Sequence, residues 1–363
     1  MNVVLAHRTV LPRDAVGQDV QRMAEILGRS HRVGLFAAQV AEGVAPRLEA
    51  AAARAWLEGP DSLLIYHHSL FWEAGETLLA EARGRVIIKD HNITPPEYFT
   101  PYSELYADLC GRGRDQTRRL AERHPEAAWV GDSRFNLADA GLLGLPRASV
   151  LPPFNRIDRW AGMTPHPGRL RSLLGDRRAQ ALFVGRQAPN KGLHFLLDVA
   201  RAWVPRYGPT LQIHLVGRRD PELAVFHAAF DAEVAASGLG DVVRVAGELP
   251  EPELLAYYLG CDAYLNASEH EGFCLPLAEA QSLHLPVLSR SGTAAPETLG
   301  PDQLVLDDDP AEFAAGLRLL TTRPEWSEWL QARGRANYES RFANDVIAAR
   351  FADLVRECTG VAA

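Results

Sequence analysis

Two glutamates, Glu271 and Glu279, stand with seven residues between them in the segment NASEHEGFCLPLAEA, where an apolar run gives way to a helical pattern. Pro276 suits a first helical turn, because the N–H that proline lacks would have no partner there. Amides just before this helix can bind an anion; they belong to Phe273, Cys274 and Leu275. Glu271 then projects towards a sugar and Glu279 can accept hydrogen bonds from two ribose hydroxyls, with a diphosphate between them. The alternatives are a solvated loop acid and a helix-start acid favoured by the macrodipole.

A second charged pair follows another apolar run. In ALFVGRQAPNKGLHFLL, Arg186 and Lys191 stand at the carboxyl end of a predicted strand. Loss of a nucleoside diphosphate from a sugar builds negative charge on the phosphates, which two fixed cations and a helix N-terminus stabilise. Lys191 and Lys89 are the two lysines of a chain that otherwise uses arginine, which favours a specific role for the ammonium. The alternative for both cations is a surface role.

Apolar, β-branched runs alternate with helical and turn patterns along the whole chain. The runs are NVVLA, HRVGLFAA, SLLIYH, RVIIK, AAWVGD and ASVLP and, after a proline-rich connection at 151–168, QALFVG, LQIHLVG, VVRVAG, DAYLNAS, LPVLSR and DQLVLD. Such strands need helices on both faces and place ligands at their carboxyl ends. We predict an α/β fold of two doubly wound parallel sheets, in domains at 1–160 and 170–342, with a helix at 343–363 that packs back towards the first.

Composition limits the classes of function. A chain of 363 residues with 47% apolar and 23% charged residues favours two globular domains, and a net charge of −8 argues against nucleic-acid binding. The four cysteines lack zinc or disulfide spacing, and no run approaches the roughly 20 apolar residues of a membrane helix. With no secretion signal apparent, we expect a cytoplasmic protein.

No metal or other cofactor is expected. The acidic cluster Asp307 to Asp309 precedes Pro310 and indicates a turn and helix cap. Without an Asp-x-Asp near Arg186 or Glu271, cations and helix dipoles must do the work that a divalent ion does in other sugar transferases.

The motifs FVGRQAPNKGLHFLL, SEHEGFCLPLAEA and GTAAPETLG, in this order and spacing, resemble the retaining glycosyltransferases of family 4. KDHNITPPEYF and VGDSRFNLADAGLLGL are similar to bacterial members, so the resemblance spans nearly the whole chain. It implies the GT-B fold, with an acceptor-binding and a donor-binding Rossmann-like domain facing across a cleft. It also implies that Arg186 and Lys191 bind the donor diphosphate, Glu279 the ribose and Glu271 the donor sugar, assisted by the amides at 273–275.

Further donor contacts are implied by the resemblance. Gly17, after the first strand, would let the backbone approach the diphosphate at the start of a helix. Many relatives have paired glycines there, whereas this chain has Val16 before Gly17. The nucleobase would be read by backbone groups near Gly217 and at 245–249, which include Glu248. UDP and GDP sugars therefore both remain open.

Polar residues also end strands of the N-terminal half. His91, after RVIIKD, resembles an active-site histidine near the donor sugar and the transferred bond, and its alternative is a capping or core histidine. His67 and His68 are candidates for the acceptor side. Arg114 belongs to an arginine run that faces either an anionic acceptor, a membrane surface or plain solvent. Aromatic rings that suit sugar faces, but also ordinary cores, lie nearby; they are Phe71, Trp72, Tyr98, Phe99, Tyr102 and Tyr106.

The sequence thus predicts a retaining transfer of a hexose from a UDP- or GDP-sugar to a saccharide, lipid-linked or small-molecule acceptor, in polysaccharide or glycoconjugate biosynthesis. Retention follows from the resemblance and requires no carboxylate nucleophile, since the acceptor hydroxyl attacks from the face that the diphosphate leaves. The enzyme would act in the cytoplasm or at the inner face of the membrane. Two rivals are a nucleotide-sugar epimerase or phosphorylase of the same fold and a non-catalytic sugar-nucleotide binding module. The joint presence of both acids, both cations and His91 disfavours the second.

Overall fold

The computed structural model has an α/β fold, and the residues it describes are 1–11, 14–40 and 46–361. Its strands are β1 (Asn2–Ala6), β2 (Thr9–Val10), β3 (Arg32–Phe36), β4 (Gln39–Val40), β5 (Ser62–His68), β6 (Arg85–Asp90), β7 (Ala128–Gly131), β8 (Ala148–Val150), β9 (Ala179–Val184), β10 (Leu211–Val216), β11 (Val243–Gly247), β12 (Ala263–Asn266), β13 (Val287–Arg290) and β14 (Leu304–Leu306).

Its helices are α1 (Ala15–Leu27), α2 (Ala50–Leu57), α3 (Glu73–Glu81), α4 (Glu104–Arg123), α5 (Arg134–Asp139), α6 (Ile157–Trp160), α7 (Pro167–Gly175), α8 (Leu193–Tyr207), α9 (Ala224–Ser237), α10 (Glu251–Gly260), α11 (Leu275–Ser282), α12 (Ala295–Leu299), α13 (Pro310–Thr322), α14 (Pro324–Arg341) and α15 (Asn344–Thr359). Short 3₁₀ turns cover Pro96–Tyr98, Pro189–Lys191 and Pro221–Leu223. In the described ranges, no helix combines the length and apolar character that crossing a membrane requires.

Two six-stranded sheets organise the chain, in the orders β3-β1-β5-β6-β7-β8 and β11-β10-β9-β12-β13-β14. Neighbouring strands in both are parallel. Every predicted apolar run contributes a strand, so the prediction of two doubly wound parallel sheets is confirmed. The parallel pair of β2 with β4 was not foreseen, because two residues are too few to show a periodicity.

Each sheet has a point where the chain order reverses, and ligands of such folds bind outside the carboxyl ends of the strands there. In the first sheet this point lies between β1 and β5, and in the second between β9 and β12. The loops that leave these strands are therefore the places to look for a site.

The chain divides into two structural units by its internal contacts. Unit 1 consists of residues 1–96, 107–156 and 341–363, and unit 2 of residues 97–106 and 157–340. The predicted first domain, 1–160, includes residues 97–106, whereas the contacts place this segment in unit 2. In the sequence, the segment lies between two strands of unit 1.

Helix α15 is an integral part of unit 1. Ile347, Phe351 and Val355 are fully buried in a cluster with residues of the first sheet. At the start of the helix, Asn344 accepts a hydrogen bond from the main-chain N–H of Asn155 and donates one to its carbonyl, at 3.0 Å in both cases. Apolar burial and a paired polar contact thus both fix α15 to this unit.

Candidate donor site

Two loops of unit 2 meet at the reversal point of the second sheet. One follows β9 and the other follows β12. Asn190 in the first donates to the carbonyl of His270 in the second at 3.0 Å, and the N–H of Glu269 donates back to the Asn190 carbonyl at 2.9 Å. Gly192 has φ 66°, and a Cβ there would lie 2.0 Å from the carbonyl oxygen of Ala267. Glycine is therefore required for the two loops to approach this closely.

Lys191 and Glu271, which these loops carry, form an ion pair between Nζ and Oε1. The hydroxyl of Ser268 donates to the same carboxylate oxygen at 3.0 Å. The side chains of Lys191 and Glu271 keep 18% and 15% of their surface exposed. Both charges are thus fixed in direction yet remain within reach of a ligand.

Arg186 follows β9 on the same side of the sheet. A close approach of the adjoining strand β10 fixes its backbone, because a Cβ on Gly217 (φ 144°) would lie 1.8 Å from the carbonyl oxygen of Gly185. The N–H of Gly217 donates to the Gly247 carbonyl at 2.8 Å. Glu248 follows Gly247 and is exposed. These glycines hold the strand ends together, and the Arg186 side chain leaves them with 33% of its surface exposed.

Helix α11 begins at Leu275 with Pro276 in its first turn, as the sequence predicts. Cys274 before it adopts the left-handed conformation, with φ 70° and ψ 73°. Glu279 is completely buried, and its Oε2 accepts a hydrogen bond of 2.8 Å from the hydroxyl of Tyr258. Sequence reasoning missed Tyr258, which α10 supplies, because nothing local links it to α11.

In unit 1, the second lysine lies in a buried cluster of charges. Lys89 Nζ is 2.6 Å from Asp19 Oδ2 and 3.4 Å from Asp132 Oδ1. The other Asp19 oxygen accepts the Phe154 N–H at 2.9 Å. His91 Nδ1 donates to Asp132 Oδ2 at 2.9 Å. Burial favours the neutral acid, but His91 and Lys89 outweigh it and hold the pKa of Asp132 below its usual value.

Three of the predicted histidines lie beside this cluster. His91 Nε2 is 2.9 Å from His67 Nδ1, so both ring nitrogens of His91 are engaged inside unit 1. The carbonyl of His67 accepts from His7 Nδ1 at 2.9 Å. His68 is fully buried and its Nε2 is 2.9 Å from the Thr117 hydroxyl. Burial lowers the pKa of His7 to about 3 and lowers those of His67 and His68. His67 and His68 therefore lie in the interior of the unit.

Two further predicted residues of unit 1 are occupied by local contacts. Arg114 donates to Asp139 Oδ2 at 2.8 Å. The N–H of Gly17 donates to Asp14 Oδ2 at 2.8 Å and so completes the N-cap of α1. A Cβ on Gly17 would lie 2.5 Å from the carbonyl oxygen of Leu11, which explains the glycine without a ligand.

A candidate set of metal ligands overlaps the buried cluster. Ligand atoms of Asp19, His67 and His91 all lie within 4.8 Å of one another. Both oxygens of Asp19 already accept hydrogen bonds, from Lys89 and Phe154, and the two histidines contact each other. Metal independence stays a prediction. The predicted cap in the acidic cluster is present, since Asp309 accepts from the Ala311 N–H at the start of α13.

Comparison with known proteins identifies the class of the second unit. Residues 178–323 match the family model described as glycosyl transferases group 1. A D-inositol 3-phosphate glycosyltransferase of Geodermatophilus obscurus is 30% identical over 215 residues, which are 57% of this chain and 47% of that protein. The match thus spans about half the length of this relative.

Solved structures resemble the chain over nearly its full length. Sucrose-phosphate synthase from Thermosynechococcus elongatus has a TM-score of 0.76 and 18% identity, and covers 98% of each chain. HepE of Anabaena, solved in complex with UDP-glucose, has a TM-score of 0.76 and 17% identity over 98% of this chain and 100% of its own. The fold is therefore that of GT-B glycosyltransferases. Residues 178–323 carry a glycosyl transferase group 1 domain, and named relatives are glycosyltransferases.

Proposed function

We propose that the chain is a retaining glycosyltransferase of family 4 that moves a hexose from a UDP- or GDP-sugar to a hydroxyl-bearing acceptor. The observation that carries this proposal is the joining of Lys191 and Glu271 at the reversal point of the sheet in a glycosyl transferase group 1 domain. Arg186 leaves the end of β9, the strand beside β12. Together they supply two cations for a diphosphate and one carboxylate for sugar hydroxyls.

Donor binding would use the exposed part of each charge. A diphosphate at the start of α11 gains from the helix dipole and from the ammonium of Lys191, which need not leave Glu271 to contact it. As the sugar departs, negative charge grows on the diphosphate, and the same cations stabilise it more strongly than the ground state. HepE was solved with UDP-glucose, which supports a UDP-sugar as the first donor to try.

Glu279 is assigned to the ribose hydroxyls. The Tyr258 hydrogen bond fixes the carboxylate in one orientation. Because Glu279 is fully buried, a ribose would reach it only once the residues that cover it move aside. A fixed acceptor discriminates between ligands well, because a nucleotide that lacks the matching hydroxyl would leave it unpaired. Gly217 and Glu248, at the ends of β10 and β11, remain our candidates for the side that reads the base.

His91 is assigned to the donor sugar because its position after β6 resembles that of an active-site histidine in family 4 glycosyltransferases. Its Nδ1–H is held by Asp132, so its Nε2 can act on a ligand only by giving up the contact with His67. We propose retention, metal independence and an acceptor that is a saccharide, a lipid-linked sugar or a small molecule, in polysaccharide or glycoconjugate synthesis. The cytoplasm, or the inner face of the membrane, is the proposed place of action.

Charge deletion tests the donor site. In calorimetric titration with UDP and GDP, Lys191→Ala should weaken binding about 10- to 100-fold, since a hydrogen bond to a charged group contributes about 1.5–3 kcal/mol. Glu279→Ala should weaken binding of the nucleosides as well, because it removes a ribose contact. Arg244→Ala, which deletes a cation paired with Asp241 on the surface, is the matched control and should bind normally.

Transfer assays complete the test. With UDP-glucose or GDP-mannose and a panel of acceptors, both site variants should lose turnover, and NMR of the product should show the anomer of the donor. Addition of EDTA should leave turnover unchanged. Undiminished binding and transfer in Lys191→Ala would overturn the site, and an inverted product would overturn retention alone.

A further inference from the structure

The segment 97–106, here called the aromatic segment, belongs to unit 2 although its neighbours in sequence belong to unit 1. It contains Tyr98, Phe99, Tyr102 and Tyr106, and Tyr106 lies in the first turn of α4. The local sequence pattern does not explain why four aromatic residues occur in this segment. Their contacts within unit 2 explain it.

Two neighbouring rings of the segment lie close to Arg186. The guanidinium carbon lies 5.2 Å from the centre of the Tyr106 ring and 5.9 Å from that of Phe99. Both distances are within the range of cation–π attraction. The nearest approach of Arg186 Nη1 to Asp220 Oδ2 is 4.0 Å, which is longer than a hydrogen bond. The rings therefore contribute to holding the guanidinium where it is.

The hydroxyl of Tyr106 fixes the carboxylate beside Arg186. It donates to Asp220 Oδ2 at 2.6 Å, and Arg218 Nη2 approaches the same oxygen to 3.2 Å. Burial tends to raise the pKa of Asp220, but Tyr106, the Glu222 N–H and the two arginines lower it below its usual value. Asp220 is thus held in its charged form and faces Arg186 as an ion pair at 4.0 Å, without a hydrogen bond between them.

The other end of the segment reaches the loop that carries Glu271. Tyr98 donates from its hydroxyl to the carbonyl of Glu269 at 3.3 Å, and its ring centre lies 6.3 Å from that of His270. One short segment therefore contacts both the Arg186 side and the Glu271 side of the candidate site.

We propose that the aromatic segment lines the donor site together with the loops that follow β9 and β12. We propose also that Tyr106 is a positioning residue that orients Arg186 towards a nucleoside diphosphate. This inference rests on the proposed function, which assigns the diphosphate to Arg186. A guanidinium already held over two rings loses less freedom when the phosphates bind, so the segment raises affinity through preorganisation. Tyr106 acts through its ring on Arg186 and through its hydroxyl on Asp220.

The experiment is a double-mutant cycle measured by calorimetric titration with UDP, GDP, uridine and guanosine. Tyr106→Ala should weaken the binding of whichever diphosphate the protein binds about 3- to 30-fold, which is the range of a cation–π contact. Tyr106→Phe, which keeps the ring, should recover most of that affinity. Tyr102→Phe removes a hydroxyl from the same segment, where the ring packs on Phe226, and should bind as the wild type does.

The Arg186→Ala background separates positioning from a structural effect. There, Tyr106→Ala should cause no further loss of diphosphate affinity, and nucleoside binding should be unchanged in all these variants. Equal losses in both backgrounds, or a loss that extends to nucleosides, would overturn the inference while leaving the proposed function intact. If Arg186→Ala itself binds diphosphates normally, or the wild type binds neither, the assignment of Arg186 fails and the inference falls with it.

Discussion

The two lysines of the chain occupy opposite surroundings. Lys89, at the end of a strand of unit 1, keeps 1% of its side-chain surface exposed and pairs with Asp19, which keeps none. Lys191, after a strand of unit 2, keeps 18% and pairs with Glu271, which keeps 15%. Each ammonium therefore faces a carboxylate at the carboxyl edge of a parallel sheet, but one pair is sealed and the other is open.

The difference separates structural charge from functional charge. A sealed pair has lost its hydration, and each partner depends on the other and on further contacts. Here these are the hydrogen bond from the Phe154 N–H to Asp19 and the ion pair of Lys89 with Asp132. An open pair keeps part of its hydration and can accept a third charge. Both lysines lie at the edge of a sheet, but only the Lys191 pair keeps surface that a ligand can contact without a rearrangement.

The largest expected effect is on folding, from a matched pair of substitutions. Lys89→Met should lower the free energy of unfolding by about 3–5 kcal/mol, because it leaves Asp19 buried without its cation. Lys191→Met should change it by about 1 kcal/mol or less, since that pair is partly exposed. Urea unfolding followed by tryptophan fluorescence measures both. Similar losses in the two variants would break the distinction between a sealed and an open pair.

Lowering the pH should destabilise unit 1, which holds the sealed pair, more than unit 2, which holds the open pair. His7, with a pKa lowered to about 3, and His67 and His68, also lowered, stay neutral in the fold of unit 1. In the unfolded chain these histidines bind protons with a pKa near 6.5. Their contribution to the free energy of unfolding is therefore complete above that pH and is lost as the pH drops below it. For His7 this loss should be about 1.4 kcal/mol between pH 7.5 and 5.5, and His67 and His68 should add to it in the same direction.

Unit 2 has a comparable group in His214, whose pKa burial lowers to about 4. Hydrogen exchange measured by mass spectrometry at the two pH values should therefore show a larger loss of protection in peptides of unit 1. His68→Gln should reduce that loss, and His214→Gln should leave it unchanged. A greater loss in unit 2 than in unit 1 would contradict the prediction.

Much of the fold could be predicted because parallel strands are buried on both faces and so leave continuous apolar runs in the sequence. The approach of Lys191 to Glu271 could be predicted for a related reason, since carboxyl ends of neighbouring strands meet at one edge. The burial of Lys89, in contrast, could not be predicted from the sequence. Its position at the end of RVIIKD is like that of an exposed strand end, and its partner Asp19 lies 70 residues away.

Contacts between distant segments account for the other omissions. Tyr258 meets Glu279 through packing of one helix on another, and no spacing within either helix encodes that contact. The aromatic segment joins unit 2 through single contacts such as Tyr106 with Asp220, 114 residues apart. Local patterns specify elements, whereas these contacts depend on how the completed elements pack.

The smallest expected effect concerns backbone strain close to the buried cluster of Lys89 and close to the Lys191–Glu271 pair. Asn92, next to His91, and Cys274, at the start of α11, both have positive φ, at 55° and 70°. Asparagine adopts this conformation readily, whereas for cysteine it costs about 1–2 kcal/mol. Cys274→Gly should therefore be more stable than Cys274→Ala by about 1 kcal/mol, because both lose the sulfur but only glycine relieves the strain. Urea unfolding of the two variants decides it, and equal stability would mean that the open site stores no strain at this position.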